Sequence, residues 1–253
     1  MFYDSHIHLD DKKFDKDREE IISNFETDRI RGVINVGADM ATSRASLELA
    51  KKHDKIYAVV GVHPHDVKDM KDSDFDELRA MSKEDKVVAI GEIGLDYYYD
   101  HSPRDVQIKR FEEELVLAKE LDLPVVIHSR DAAMETLEII KKHSKNLRGE
   151  MHAFSYSPEI MREYLKLGFY IALGGPVTFK NARVPLEVAR EVPLDALLLE
   201  TDAPFLTPEP FRGKRNESKY IKYIAEKIAD IKGIPVSKIY EATAKNTEEL
   251  FGL

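Results

Sequence analysis

The chain switches between two hydrophobic periods eight times over. Short runs rich in Val, Ile, Leu and Tyr fall at 2–8, 32–37, 56–63, 87–94, 124–128, 149–154, 169–173 and 196–201. Near-continuous apolar runs of this length suit parallel strands covered on both faces. The stretches between them repeat at about 3.6 residues, the period of a helix with one buried face. Ile108, Phe111, Leu115 and Ala118 form one such stripe, and Ile221, Ile224, Ile228 and Ile231 another. Both read as core-facing helices, over 103–121 and 219–232. Ser102 before Pro103 reads as an N-cap with proline at the first helical position. A last helix is expected over 237–251.

Eight strand–helix units in 253 residues predict an α/β fold, a (β/α)8 TIM barrel with an extra C-terminal helix. No Gly/Ser/Pro-rich linker divides the chain, so residues 1–253 are expected to form one domain. The competing architecture is a doubly wound open sheet. It uses fewer strands and a Gly-rich first turn, whereas the first turn here, HLDDKKF, has no glycine.

Composition narrows the chemistry. With no Cys, disulfides, thiolate metal sites and cysteine nucleophiles are excluded. A transition metal would have to be held by His, Asp and Glu. The 38 basic and 47 acidic residues leave a net charge of −9, so nothing draws the whole surface to nucleic acid or an anionic membrane. A polyanionic substrate would need a local positive site. The start, MFYDSHIHLD, has no basic segment followed by an apolar one, and reads as no signal peptide. The longest strongly apolar run, about Phe169 to Phe179, is far short of the roughly 18 residues a membrane span needs. A cytoplasmic protein with no membrane partner is expected, and no stable protein partner is indicated.

Histidines and carboxylates recur at the C-terminal ends of the strands, where a barrel of this kind builds its active site. His6 and His8 end the first strand, and His63 and His65 the third. Glu92 lies on the fourth, His128 ends the fifth and His152 the sixth, and Glu200 and Asp202 follow the eighth. The other histidines, 53, 101 and 143, fall in helix ends or loops. On a strand, residues i and i+2 share a face, so His6 and His8 can grip one ion together. Four such histidines with a Glu and an Asp would be costly to bury without a counter-charge. Six candidate ligands are too many for one tetrahedral ion that keeps a position open for water. They suit two ions about 3.5–4 Å apart that share a carboxylate and a water.

The stretches DSHIHLD, GVHPHD, AIGEIGLDYY, HSRDA, HAFS, ETDAPFLTP and RGKRNE run from the first strand to beyond the last. Together they resemble the TatD-type deoxyribonucleases, a branch of the metal-dependent hydrolase (amidohydrolase) superfamily. The resemblance implies that His6, His8 and Asp202 hold one divalent ion and His128 and His152 another. Glu92 would bridge the two, standing where related barrels place a modified lysine. Asp202 would also orient and deprotonate the attacking water, which makes Asp202 and Glu92 the catalytic pair. His63, and Arg130 with it, would contact a phosphate oxygen. Glu200 and His65 would stand behind the ligands and fix their orientation. The activity implied is metal-dependent hydrolysis of DNA phosphodiesters, as a 3′–5′ exonuclease on single strands. The ions are expected to be Mg²⁺, Zn²⁺ or Mn²⁺, with Fe²⁺ also suited to the resting donor set.

The bottom-up chemistry agrees. Two ions bring the pKa of a shared water down to about 7, and the resulting bridging hydroxide attacks phosphorus. Lys214 and Arg215, in the loop after the eighth strand, are further candidate phosphate contacts. Tyr97, Tyr98 and Tyr99 are candidates to stack on a base. Two departures from the family pattern stand out: Ala153 and Tyr156 replace Cys and Gly of HCFSG, and Ser218 replaces a proline after RGKRNE. Neither removes a ligand, but the loop over the sixth strand is expected to differ in shape. The rival readings are a hydrolase of a C–N or ester bond, such as an aminoacyl-tRNA deacylase, and a non-enzymatic nucleic-acid-binding derivative. Retention of all six ligands disfavours the latter.

Overall fold

The computed structural model describes residues 1–253. Strands β1 (Phe2–Ile7), β2 (Ile30–Val36), β3 (Ile56–Val60), β4 (Val87–Asp96), β5 (Val125–Arg130), β6 (Gly149–Met151), β7 (Tyr170–Leu173) and β8 (Leu197–Leu199) form one sheet in chain order. Every neighbouring pair is parallel. The helices are α1 (Arg18–Ser23), α2 (Met40–Lys52), α3 (Asp74–Met81), α4 (Arg104–Glu120), α5 (Ala133–His143), α6 (Pro158–Lys166), α7 (Arg183–Glu191), α8 (Ile221–Lys232) and α9 (Val236–Phe251). All eight expected strands form, and α9 is the extra C-terminal helix. No helix is long and apolar enough to cross a membrane.

The barrel closes between β8 and β1 through a narrow seam just beyond the strand ends. Ile7 and Ala203 form a single parallel bridge there. His8 N–H donates to Ala203 O at 2.8 Å, and Asp202 N–H donates to His6 O at 2.9 Å. The same contacts that close the barrel therefore hold three candidate ligands side by side. Below the seam, buried Asp4 accepts from Thr201 N (2.8 Å), Thr201 Oγ1 (2.6 Å) and Ser218 Oγ (2.6 Å).

Two apolar sets fill the fold. The larger lies between strands and helices and includes Phe111, Leu115, Ala118, Ile221, Ile224 and Ile228, the stripes expected from sequence. The smaller faces the barrel axis: Ile34, Val36, Val59, Val126, Ala172 and Leu198 pack with Leu250 and Phe251 of α9. Tyr57 and Tyr170, near the starts of their strands, join that set, so the end of α9 plugs the N-terminal mouth. The opposite mouth is left open.

Ser102 does not cap α4. Pro103 occupies the N-cap position and no side chain caps the helix. The Ser102 hydroxyl instead donates to His65 O at 2.8 Å and accepts from Lys68 N at 3.2 Å. The loop after β3 thus outcompetes the helix for this hydroxyl, and Ser102 anchors the backbone of a rim histidine.

Candidate metal centre

Glu92 stands at the centre of the open mouth, buried within β4. Its two oxygens face different partners. Oε2 lies 3.4 Å from His6 Nε2 and 3.9 Å from His8 Nε2. Oε1 lies 2.9 Å from His128 Nδ1, 3.6 Å from His63 Nε2 and 3.8 Å from His152 Nε2. Asp202 Oδ1 is 3.5 Å from His8 Nε2 and 4.0 Å from His152 Nε2. Asp202 adopts a left-handed backbone (φ 56°), as does Ala153 beside His152 (φ 43°). Such conformations in non-glycine residues cluster where side chains must be aimed.

The strands enforce this convergence. Gly94, with φ 142°, sits in register with His128. A Cβ there would fall 1.9 Å from the His128 carbonyl oxygen, so only glycine lets β4 and β5 approach this closely.

The donor set fits divalent metal. Three groups, His6–His8–Glu92, His63–Glu92–His128 and His6–His152–Asp202, each keep their ligand atoms within 4.8 Å of one another. The His6 and His8 Nε2 atoms face each other at 3.3 Å, and the His6 and His152 rings stack with centroids 3.5 Å apart. Ring nitrogens this close need a proton or a cation between them. Nitrogen and oxygen donors without sulfur suit Zn²⁺, Mn²⁺, Fe²⁺ or Mg²⁺.

Partners behind the ring nitrogens set which nitrogen faces inward. His8 Nδ1 is 2.8 Å from Val36 O, which can only accept, so Nδ1 carries a hydrogen and Nε2 is the atom turned toward the centre. His152 Nδ1 lies 2.8 Å from Glu200 Oε2, and Glu200 Oε1 accepts from Ala153 N at 2.9 Å. His128 Nε2 lies 3.1 Å from Asp96 Oδ2, leaving Nδ1 toward Glu92. The same Asp96 oxygen is 2.9 Å from His65 Nε2, and its other oxygen accepts from Tyr98 N and Tyr99 N. Asp96 was not among the residues singled out from sequence. It ties His65, His128 and the Tyr98–Tyr99 loop into one unit.

Charge follows the same pattern. Burial works to raise the Glu92 carboxyl, but the imidazoles of His63, His152 and His6 outweigh it and hold Glu92 well below its ordinary range. Asp202 is lowered in the same way, burial being outweighed by His8 and His152. His8 overcomes burial through Asp202 and rises to about 9, and His152 overcomes it through Glu200 and Glu92 and rises to about 10. Burial lowers His6, and lowers His63 further with help from His128. A metal must displace the protons on His8 and His152, so affinity should rise with pH.

Beneath the centre lies a polar layer that the motifs do not show. Glu150 is fully buried, and neither carboxyl oxygen has a hydrogen-bond partner; His6 Nδ1 and Ser5 Oγ likewise have none. Burial pushes the Glu150 carboxyl well above its ordinary range, which favours the neutral acid.

A family model described as "TatD related DNase" matches residues 3–252. The chain belongs to the TatD family. It is 45% identical over 252 residues to the uncharacterized metal-dependent hydrolase YabD of Bacillus subtilis (strain 168), covering 99% of each chain. It is 32% identical over 257 residues to the 3′–5′ ssDNA/RNA exonuclease TatD of Citrobacter rodentium (strain ICC168), covering 99% of this chain and 98% of that one. The crystal structure of the TatD homologue YjjV from Escherichia coli K12 superposes with a TM-score of 0.94 at 30% identity, covering 100% of this chain and 98% of the other.

The departures from the TatD pattern have physical uses here. Tyr156 places its hydroxyl 2.9 Å from Ser129 Oγ and accepts from Ala132 N at 3.2 Å, pinning the loop after β6 to the end of β5. Ser218 supplies the hydroxyl that bonds Asp4, which a proline could not.

The cationic residues separate into two groups. Arg130 borders a cavity of about 870 Å³ above the donors, together with Lys12, Lys13, His65, Tyr99 and Phe205. Lys214 is exposed outside that cavity, with Nζ 5.5 Å from the Phe211 ring centroid. Arg215, the other candidate phosphate contact, is held in a separate set of contacts. It donates to both Asp17 oxygens (2.7 and 2.6 Å) and to Lys13 O (2.7 Å), and stacks on Phe14 at 4.7 Å. Its partners lie about 200 residues earlier, so sequence spacing gave no sign of them. Arg215→Ala is therefore expected to lower stability by about 1–2 kcal/mol while changing KM for substrate less than about twofold. Urea unfolding and steady-state kinetics on one preparation check this.

Proposed function

We propose that this protein is a two-metal phosphodiesterase that hydrolyses single-stranded DNA from its 3′ end. One observation carries the reading: the Glu92 carboxylate divides its oxygens between the His6–His8 side and the His128–His152 side. A bridging ligand has that disposition, and a carboxylate serving a single ion has no need of it. His6, His8 and Asp202 would then hold one ion, and His128 and His152 the other. The relative named as a 3′–5′ ssDNA/RNA exonuclease supports nucleic acid as the substrate class.

When bound, the two ions supply Lewis acidity at the phosphate and acidify the attacking water. Asp202 accepts that water's proton; its lowered pKa keeps it ionised. His63 Nδ1 accepts from His65 N at 3.2 Å, which leaves Nε2 carrying the hydrogen. Nε2–H can therefore donate to a non-bridging phosphate oxygen as negative charge builds there. Arg130 offers a positive charge at the cavity edge. Glu200 and Asp96 hold His152 and His128 in place.

The test is hydrolysis of a single-stranded oligonucleotide, labelled at one end or the other, by chelated protein with Mg²⁺, Mn²⁺ or Zn²⁺ restored. An aminoacyl ester is assayed in parallel. Metal-dependent shortening from the 3′ end is the expected result. Ester hydrolysis without DNA cleavage would assign the site to the carboxylic-ester reading instead.

A further inference from the structure

Seven large hydrophobic side chains are exposed, and the three aromatic ones are Tyr98 (57%), Tyr99 (51%) and Phe205 (44%). Tyr99 and Phe205 border the mouth that holds the candidate ligands, Tyr98 lies beside them against Arg130, and each of the three carries a cation on its ring face. Arg130 lies 3.9 Å from the Tyr98 centroid and 4.9 Å from that of Tyr99. Lys13 Nζ lies 4.3 Å from the Phe205 centroid. Tyr97, by contrast, hydrogen-bonds Glu135 and packs under Arg104, so it is withdrawn from the mouth.

Strand order sets the geometry. Tyr98 and Arg130 follow β4 and end β5, whereas Lys13 and Phe205 follow β1 and β8. In a barrel whose eight strands run in chain order, those two pairs of strands are diametrically opposed. Lys13, Tyr99, Arg130 and Phe205 nevertheless border one cavity, with Glu92, His128, His152 and Asp202 at its base. Tyr99 is wedged between Arg130 and a stacked His101 (5.5 Å, 10°), so it serves as the support and Tyr98 as the open face. Tyr98 and Phe205 each leave about half of the side chain in water while a cation lies over the ring. A ring with a cation on its face matches the two halves of a nucleotide, because the base can stack on the ring while the cation meets the phosphate.

We propose that Tyr98–Arg130 and Phe205–Lys13 are two nucleotide clamps, one on each side of the scissile phosphate, that each take an unpaired base. This rests on the nuclease reading above and adds the subsites that select an unstacked strand. Bases inside a duplex already have both faces covered and cannot enter either clamp.

The experiment moves a single abasic nucleotide along a single-stranded oligonucleotide and measures KM for wild type, Tyr98→Ala and Phe205→Ala, with metal content and thermal unfolding as controls. In the wild type, KM should rise roughly tenfold when the abasic site occupies either of two positions flanking the cleaved bond. Tyr98→Ala should abolish the penalty at one position and Phe205→Ala at the other, because ring and base are then redundant losses. Tyr98→Phe and Phe205→Tyr should restore it. Penalties that persist unchanged in both alanine variants, or a wild type indifferent to base removal everywhere, would overturn the clamps while leaving the nuclease standing. A wild type that cleaves no oligonucleotide with any of the metals removes the nuclease reading, and the clamps with it.

Discussion

Glu92→Ala is expected to empty the mouth of metal and to cut turnover by three or more powers of ten. The carboxylate meets His6 and His8 through one oxygen and His63, His128 and His152 through the other. Alanine removes a ligand from both proposed ions at once, whereas losing any single histidine weakens one. Metal at such a site supplies several kcal/mol of charge stabilisation, which corresponds to about 10³-fold or more in rate. Elemental analysis of the purified variant, beside kcat on a short oligonucleotide, reads both effects. Two retained ions with a normal rate would contradict the bridge.

Asp202→Asn is expected to keep the fold and part of the metal but to lose about 10²–10⁴-fold in kcat, the usual contribution of a general base. Asn keeps the shape and one ligand oxygen but cannot take the water's proton. The seam that positions residue 202 uses its backbone N–H to His6 O, which the substitution leaves in place. The measurement is kcat at saturating metal, with thermal unfolding as the control for folding. Turnover within about threefold of wild type would show that another group accepts the proton.

Much of this was legible in the sequence because two periodicities and one placement rule sufficed. Continuous apolar runs marked the strands, about 3.6-residue stripes marked the helices, and chemistry at strand ends marked the open mouth. His6, His8, Glu92, His128, His152 and Asp202 all sit within a few residues of a strand's C-terminal end, so the barrel alone brings them together. Other features depend on contacts between distant segments, which no local pattern records. Asp96 looked like one more motif residue until β4 carried it beneath both His65 and His128. Arg215 belonged to a basic run whose counter-charge, Asp17, lies across the closed seam. Ser102 had the right chemistry for a cap, but a nearer backbone partner claimed it. The pairing of Lys13 with Phe205 likewise exists only because β1 and β8 are neighbours in the ring.

The most direct test of the bridged two-ion centre is a titration of Mn²⁺ into chelated wild-type protein, with bound metal counted and single-strand hydrolysis and electron paramagnetic resonance recorded on the same samples. The account predicts that hydrolysis rises with the second equivalent and that a spin-coupled two-ion signal appears with it. Full hydrolysis at one equivalent with only an isolated-ion signal, or undiminished hydrolysis by the metal-free protein, would contradict it.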